Sequence, residues 1–180
     1  MKNLLCLLVL ACMSTFAQNK YITKTGTINF EASVPSFEEV AAKNNSVTAI
    51  FNTENGEIAA LVLVKGFRFK NALMEEHFNE NYAESDKFPK ATFKGKTENF
   101  DLKNMKSSYV INGQLTFHGK TEILENISIS ISISTEKSMI KINGTFSAKA
   151  SDFDIEIPKI VSKKISEDIK VSFQFDLLKK

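Results

Sequence analysis

Cysteine is missing from almost the whole chain: the two present, Cys6 and Cys12, both fall in the opening apolar stretch. If that stretch is removed, neither a disulfide framework nor thiol chemistry is available to the mature chain, and stability must come from a core. Tryptophan is absent and histidine occurs twice, at His77 and His118. Two histidines with scattered carboxylates fall short of the three or more ligands a metal site needs, so no metal is expected. Neither histidine stands in a recognisable nucleophile–base pattern, so the chain is read as a non-enzyme without a cofactor. A strong excess of charge is lacking too: the formal net charge is +2, Lys2 included. Near-neutrality argues against nucleic acid or an acidic lipid surface as the main partner. Beyond the opening residues no run approaches the ~18 apolar residues that cross a bilayer, so no stable membrane span is expected.

The opening residues read as a targeting segment. Met1-Lys2-Asn3 supplies the positive start, Leu4 to Met13 the apolar centre and Thr15-Phe16-Ala17 a small-x-small cleavage site. The expected division is a signal peptide at 1–17 and one mature domain at 18–180, periplasmic or secreted. A rival reading takes Val9-Leu10-Ala11-Cys12 as a lipoprotein box with Cys12 acylated.

What the chain does have is alternation. Ile22, Ile28, Phe30 and Ala32 alternate with polar residues, which predicts a half-buried strand. Ser36 followed by Glu39 resembles a capping box, which predicts a short helix through Val40-Ala41-Ala42. Val47, Ala49 and Phe51 then lead to Asn55-Gly56, a tight hairpin signal. The return strand, Glu57 to Lys65, is apolar on both sides, so a helix or a second copy of the protein must cover its outer face. Phe67 and Phe69, with Arg68 between them, continue the alternation.

One long interruption comes next. Leu73, Met74, His77, Phe78 and Tyr82 recur at three- and four-residue steps, predicting a helix from Asn71 that stops before Pro89. Strand patterns resume at Ala91, Phe93 and Gly95, and again at Tyr109, Ile111, Gly113, Leu115 and Phe117. Beyond the His118-Gly119 turn, Ile123, Ile127, Ile129, Ile131 and Ile133 are set against serines, all expected on one face. Ile140, Ile142, Gly144, Phe146 and Ala148 continue the pattern. A helical or irregular piece from Lys159 to Asp168 precedes a last strand with Ile169, Val171, Phe173, Phe175 and Leu177 inward.

These patterns predict an all-β fold: a single antiparallel β-barrel of about eight strands with one capping helix. A sandwich satisfies the alternation as well. Closure is preferred because it removes the exposed edges of consecutive hairpin-linked strands. An eight-stranded barrel has an interior just wide enough to fill with side chains or to hold one small ligand.

Two stretches resemble a known family. Leu73-Met74-Glu75-Glu76-His77-Phe78-Asn79-Glu80-Asn81-Tyr82, followed by Ser85-Asp86-Lys87-Phe88-Pro89-Lys90-Ala91-Thr92-Phe93, is similar to the helix-to-strand signature of the YceI-like family. Gly113-Gln114-Leu115-Thr116-Phe117-His118-Gly119-Lys120-Thr121 resembles its G-x-L-T-h-H-G-x-T hairpin. The resemblance implies a lipocalin-like, extended barrel, exported in bacteria, that binds polyisoprenoid or other amphiphilic lipid chains in an apolar lumen. The first strand departs from the pattern: Lys24-Thr25-Gly26-Thr27-Ile28-Asn29-Phe30 lacks the family's usual histidine there, so head-group contacts are not carried over from it.

The candidate ligand-binding wall is Phe30, Phe67, Phe69, Met74, Phe78, Phe93, Leu115, Phe117, Phe146 and Phe173, with Arg68, His77 and Lys87 near the capping helix as candidates for the polar end of a ligand. The bland reading is that the phenylalanines fill a core, that His77 is a helix histidine hydrogen-bonded at the barrel mouth and that His118 is a turn histidine bonding backbone. The expected partner is an apolar small molecule, isoprenoid or fatty. The alternative is a non-enzymatic interaction barrel, filled by its own side chains, whose Glu57 to Lys65 strand forms a homodimer or partner face. An enzyme using His77 and Glu76 on a lipid is a third reading.

Overall fold

The structure is a computed structural model that describes residues 19–35, 37–134 and 138–180. The 1–17 leader with its cysteines, the expected new terminus Gln18, the capping-box Ser36 and the turn residues Glu136 and Lys137 lie outside the described residues. Nine strands run β1 Lys20–Ser33, β2 Ala41–Asn52, β3 Glu57–Leu63, β4 Arg68–Phe69, β5 Lys90–Thr97, β6 Ser108–Phe117, β7 Lys120–Ser134, β8 Met139–Lys149 and β9 Ile165–Lys179. Their order is β1-β9-β8-β7-β6-β5-β3-β2-β4, all antiparallel, and β1 also pairs with β2. That pairing closes eight strands into a barrel, with the two-residue β4 appended to β2. No helix among the described residues is long and apolar enough to cross a membrane.

Turn chemistry sets several of the joins. Phe117 pairs with Lys120, leaving His118 and Gly119 as a two-residue turn at φ 49° and 77°. Positive φ at both positions suits the twist of the hairpin strands. The Asn55-Gly56 turn is wider than the sequence suggests: Asn52 pairs with Glu57 across four residues, with Gly56 at φ 73° donating to the Asn52 carbonyl. The expected helix near Ser36 does not form, since Ala41 and Ala42 already belong to β2 and the Val40 amide bonds Ser33 Oγ. The end of the doubly apolar strand turns into a single 3-10 turn, Val64–Gly66. The piece expected at Lys159 to Asp168 is a turn to Lys164, after which β9 begins at Ile165.

Two bulges reverse alternations that look continuous in sequence. On β7, Ile111 pairs with Ile127 but Gly113 pairs with Leu124, so one extra residue enters β7. Asn126 absorbs it at φ 57°, its amide bonded to Asn112 Oδ1 at 2.7 Å. Leu124 therefore packs towards the core, while Ile123, expected inward, is 68% exposed. Ile133, near the strand end, is also exposed, and only Ile127, Ile129 and Ile131 of that series are buried. On β1 a register shift between Thr23 and Gly26 does the same: Tyr21 and Thr23 face the core before it, Ile28, Phe30 and Ala32 after it.

The barrel is packed at one end and open at the other. At the packed end Phe51, Ile140, Leu177, Val47 and Ala49 have no accessible surface. Phe100 closes over them, 4.9 Å from Phe51 and 5.6 Å from Tyr109. Thr53 and Thr97 satisfy buried backbone there through the Asn19 and Gly56 carbonyls. At the other end the inward residues Phe30, Phe69, Phe93, Phe117, Phe146 and Phe173 are only partly covered.

The capping helix is α1, Ala72–His77, continued by a π-helical turn over Phe78–Tyr82. Asn71 Oδ1 accepts the Leu73 amide, an N-cap. The Asn79 side chain then donates to the Glu75 carbonyl, the group its own amide would bond in an α-helix, and Ala83 bonds back to Phe78. The wider turn carries Phe78 and Tyr82 over the barrel. Because α1 lies at the mouth, it leaves the outer face of β3 bare: Leu63 is 53% exposed, beside exposed Ala59 and Ile50.

Candidate functional site

A cavity of about 410 Å³ occupies the open half of the barrel. All ten residues of the candidate wall line it: Phe30, Phe67, Phe69, Met74, Phe78, Phe93, Leu115, Phe117, Phe146 and Phe173. Strand alternation directs one side chain in two inward, and the antiparallel register brings these inward positions to a common lumen. The volume lies within the ~300–1,000 Å³ usual for small-molecule sites.

The mouth is built around Phe30. Its ring makes edge contacts with Phe67 at 5.2 Å and Phe69 at 5.7 Å, and lies 5.3 Å from Phe78 on the π-helical turn. Phe78 also approaches Phe69 at 5.2 Å and Phe67 at 5.9 Å. Four rings thus join β1, β4 and the cap by apolar contact, and Glu75 on α1 adds polar ties to β4, accepting from the Phe69 amide at 3.2 Å and from Arg68 at 3.0 Å.

Of the three candidates for a polar end, the structure brings one to the cavity. His77 lines it and has no hydrogen-bond or ion-pair partner among the described residues. Arg68 does not line it, because Phe67 and Phe69 take the inward positions and the residue between them must point out. Its guanidinium donates to the Lys65 and Phe67 carbonyls and to Glu75 Oε1 at 3.0 Å. Lys87 is likewise outside: it faces Glu84 at 3.7 Å and the ring of Phe88 at 4.8 Å. Polar side chains not named among those three candidates also reach the lining, namely Glu38, Tyr82, Thr92, Lys149 and Lys164. So do Ile155, Ile157 and Val161, from the segment joining β8 to β9. The i, i+2 spacing of Ile155 and Ile157 was the available signal, obscured by Pro158 and the lack of a strand partner.

His118 is a fastener rather than a lining residue. Its side chain is 10% exposed, with Nδ1 bonded to the Phe153 carbonyl and Nε2 to Glu84 Oε2, both at 2.8 Å. Phe88 packs edge-on against it at 4.6 Å. A backbone bond is expected for a turn histidine, but neither partner is visible in sequence, Phe153 lying 35 residues away and Glu84 34. One ring thereby ties the β6–β7 hairpin to the segment after the cap and to the segment after β8. Lys120 adds a second tie, 2.7 Å from Asp154, and that hydrogen bond raises the lysine pKa above its ordinary value. Both partners are exposed, so this contact is screened by salt and adds little stability.

Chemically, the lining can exclude water and surround a hydrocarbon, with mixed polar groups around it. Among the described residues no group of three or more His, Cys, Asp or Glu side chains could hold a metal ion.

A YceI-like domain model matches residues 20–177, which is nearly all of the described chain. The chain belongs to the YceI-like family. No curated protein matches the sequence. Among solved structures, the YceI-like barrel described here is similar to a polyisoprenoid binding domain from Saccharophagus degradans implicated in plant cell wall breakdown. That pair shares 14% identity with a TM-score of 0.75, over 91% of this chain and 99% of the other. It is similar also to BcnA of Burkholderia cenocepacia, at 14% identity and TM-score 0.70, over 84% of this chain and 94% of that one. The YCEI protein of Campylobacter jejuni matches at 17% identity and TM-score 0.64, covering 79% and 86%. At these identities the likeness establishes the shared lipocalin-like barrel.

Proposed function

We propose that this YceI-like barrel is an exported carrier that holds an isoprenoid or fatty chain in its lumen. The observation that supports it most strongly is the vacant, apolar half of the barrel: a lumen filled by its own phenylalanines would leave no 410 Å³ space. A hydrocarbon chain entering that space gains about 0.8 kcal/mol for each methylene removed from water. A few isoprene units thus offset the cost of ordering the ligand and reach micromolar affinity. The polyisoprenoid-binding domain sharing the fold adds support from a relative. Catalysis has less support, since among the described residues His77 has no carboxylate partner to make it a base.

In this reading the head group stays at the mouth with His77, Tyr82, Lys149 and Lys164, and opening the cap parts its rings from Phe30 and breaks the Glu75 bonds to Arg68 and Phe69. The export assignment rests on the leader pattern at 1–17. A second reading, supported by the bare outer face of β2 and β3 with Ile50 and Leu63, adds a homodimer or partner contact there; it leaves the lumen free and is compatible with carriage.

Organic extraction of the purified mature protein, followed by mass spectrometry, tests the proposal. The expected result is one co-purifying lipid per barrel, retained through gel filtration. Repeated extracts without lipid, from protein expressed in a host that makes isoprenoids, would count against it.

A further inference from the structure

The cavity ends on aromatic rings that are let into the wall by glycines. On β8 the inward series is Ile142, Gly144, Phe146, and a Cβ on Gly144 would stand 2.5 Å from Phe173 Cζ. On β1 a Cβ on Gly26 would stand 2.7 Å from Phe175 Cδ1. Each ring of β9 therefore occupies the room that a side chain on the facing strand would take, and lies along the wall instead of across the bore. The two rings stack on one another at 5.1 Å and 26°. Phe173 and Phe175 both line the cavity, whereas Phe51, Ile140 and Leu177 beyond them do not and have no accessible surface. The stack is thus the boundary between the hollow and the solid half.

No polar side chain lines the cavity at that depth. Glu38, His77, Tyr82 and Lys164 belong to the cap and to connecting segments at the other end, where Lys149 ends β8 and Thr92 pairs with Thr116 beside the His118-Gly119 turn. A ligand with one polar end must enter tail first, and its terminal methyl must meet the stack.

We propose that the Phe173–Phe175 stack, seated on Gly144 and Gly26, is the end stop that fixes how long a chain the protein houses. This rests on the reading that the lumen takes a hydrocarbon. Affinity then rises about fourfold with each added methylene while the tail is still descending. Once the tail reaches the stack, further carbons remain at the mouth in water and affinity stops rising. The chain length at that break is a property of the stack and its seats.

The test is displacement of a lumen-bound fluorescent probe, 1-anilinonaphthalene-8-sulfonate, by n-alkanols of increasing length. Wild-type protein gives a break at one length. Phe173→Ala removes the upper ring and moves the break to longer alkanols, and Phe173→Leu, which disturbs packing less, moves it the same way by a smaller amount. Gly144→Ala moves it to shorter alkanols, because its methyl displaces only side chains, Phe173 and Ile129, the latter 2.9 Å away. A break that stays at the wild-type length in both Phe173 variants, with short alkanols still binding, overturns the end stop and leaves the carrier reading standing. Failure of every alkanol to displace the probe from wild-type protein overturns both.

Discussion

Phe51→Ala is expected to lower the unfolding free energy by about 3–5 kcal/mol, the range for deleting a fully buried aromatic ring from a core that cannot collapse around the gap. Phe51 has no accessible surface and is clamped by Phe100 at 4.9 Å, on strands held by ladders on both sides. The same truncation at Phe117 should cost less, because that ring already faces the hollow half and loses fewer neighbours. Urea unfolding of the two variants reads the difference as a shift in midpoint at nearly constant slope. The affinity of Phe51→Ala for a lipid should stay at the wild-type value, since the solid half lies below the cavity. Equal costs at the two positions would mean that the two halves of the barrel are packed alike.

Leu115→Glu is the second large effect, and it falls on binding. Leu115 faces the lumen with part of its surface uncovered, so a carboxylate there can be reached by water while the cavity is empty, and the variant should fold. A hydrocarbon chain entering the same space strips that water away with nothing to replace it. The cost of leaving the group unpaired in an apolar wall is about 3 kcal/mol or more, which lowers affinity by over a hundredfold. Loss of binding should weaken at low pH, where the carboxyl is protonated and neutral. Titration of a fluorescent fatty acid against Leu115→Glu and Leu115→Met checks this; near-equal affinities for the two variants would remove Leu115 from the ligand's path.

Much of this was legible in the chain. Alternation at Val47-Thr48-Ala49-Ile50-Phe51 or Tyr109-Val110-Ile111 maps directly onto inward and outward faces, because nothing interrupts the pleat there. The phenylalanine stripes led to the cavity for the same reason. Other features depend on what a single segment cannot reveal. Ile123 belongs to an unbroken-looking run with Ile127, yet Asn126 in the left-handed region inserts a bulge and reverses its side. Arg68 and Lys87 are near the cap in sequence but are drawn outward by partners, Glu75 and Glu84, whose geometry emerges only from the fold. The vacancy itself is a matter of glycines: Gly144 and Gly113 read as weak points in strands, and their meaning as seats for Phe173 and Phe93 needs the facing strand.

Isothermal titration calorimetry of the mature protein with geranylgeraniol, repeated at several temperatures, bears on the hollow lumen most directly. The expected result is one ligand per chain with a negative heat-capacity change, the mark of apolar surface leaving water. Saturation without a heat-capacity change, or no binding at all, would contradict a barrel that exists to keep a hydrocarbon dry.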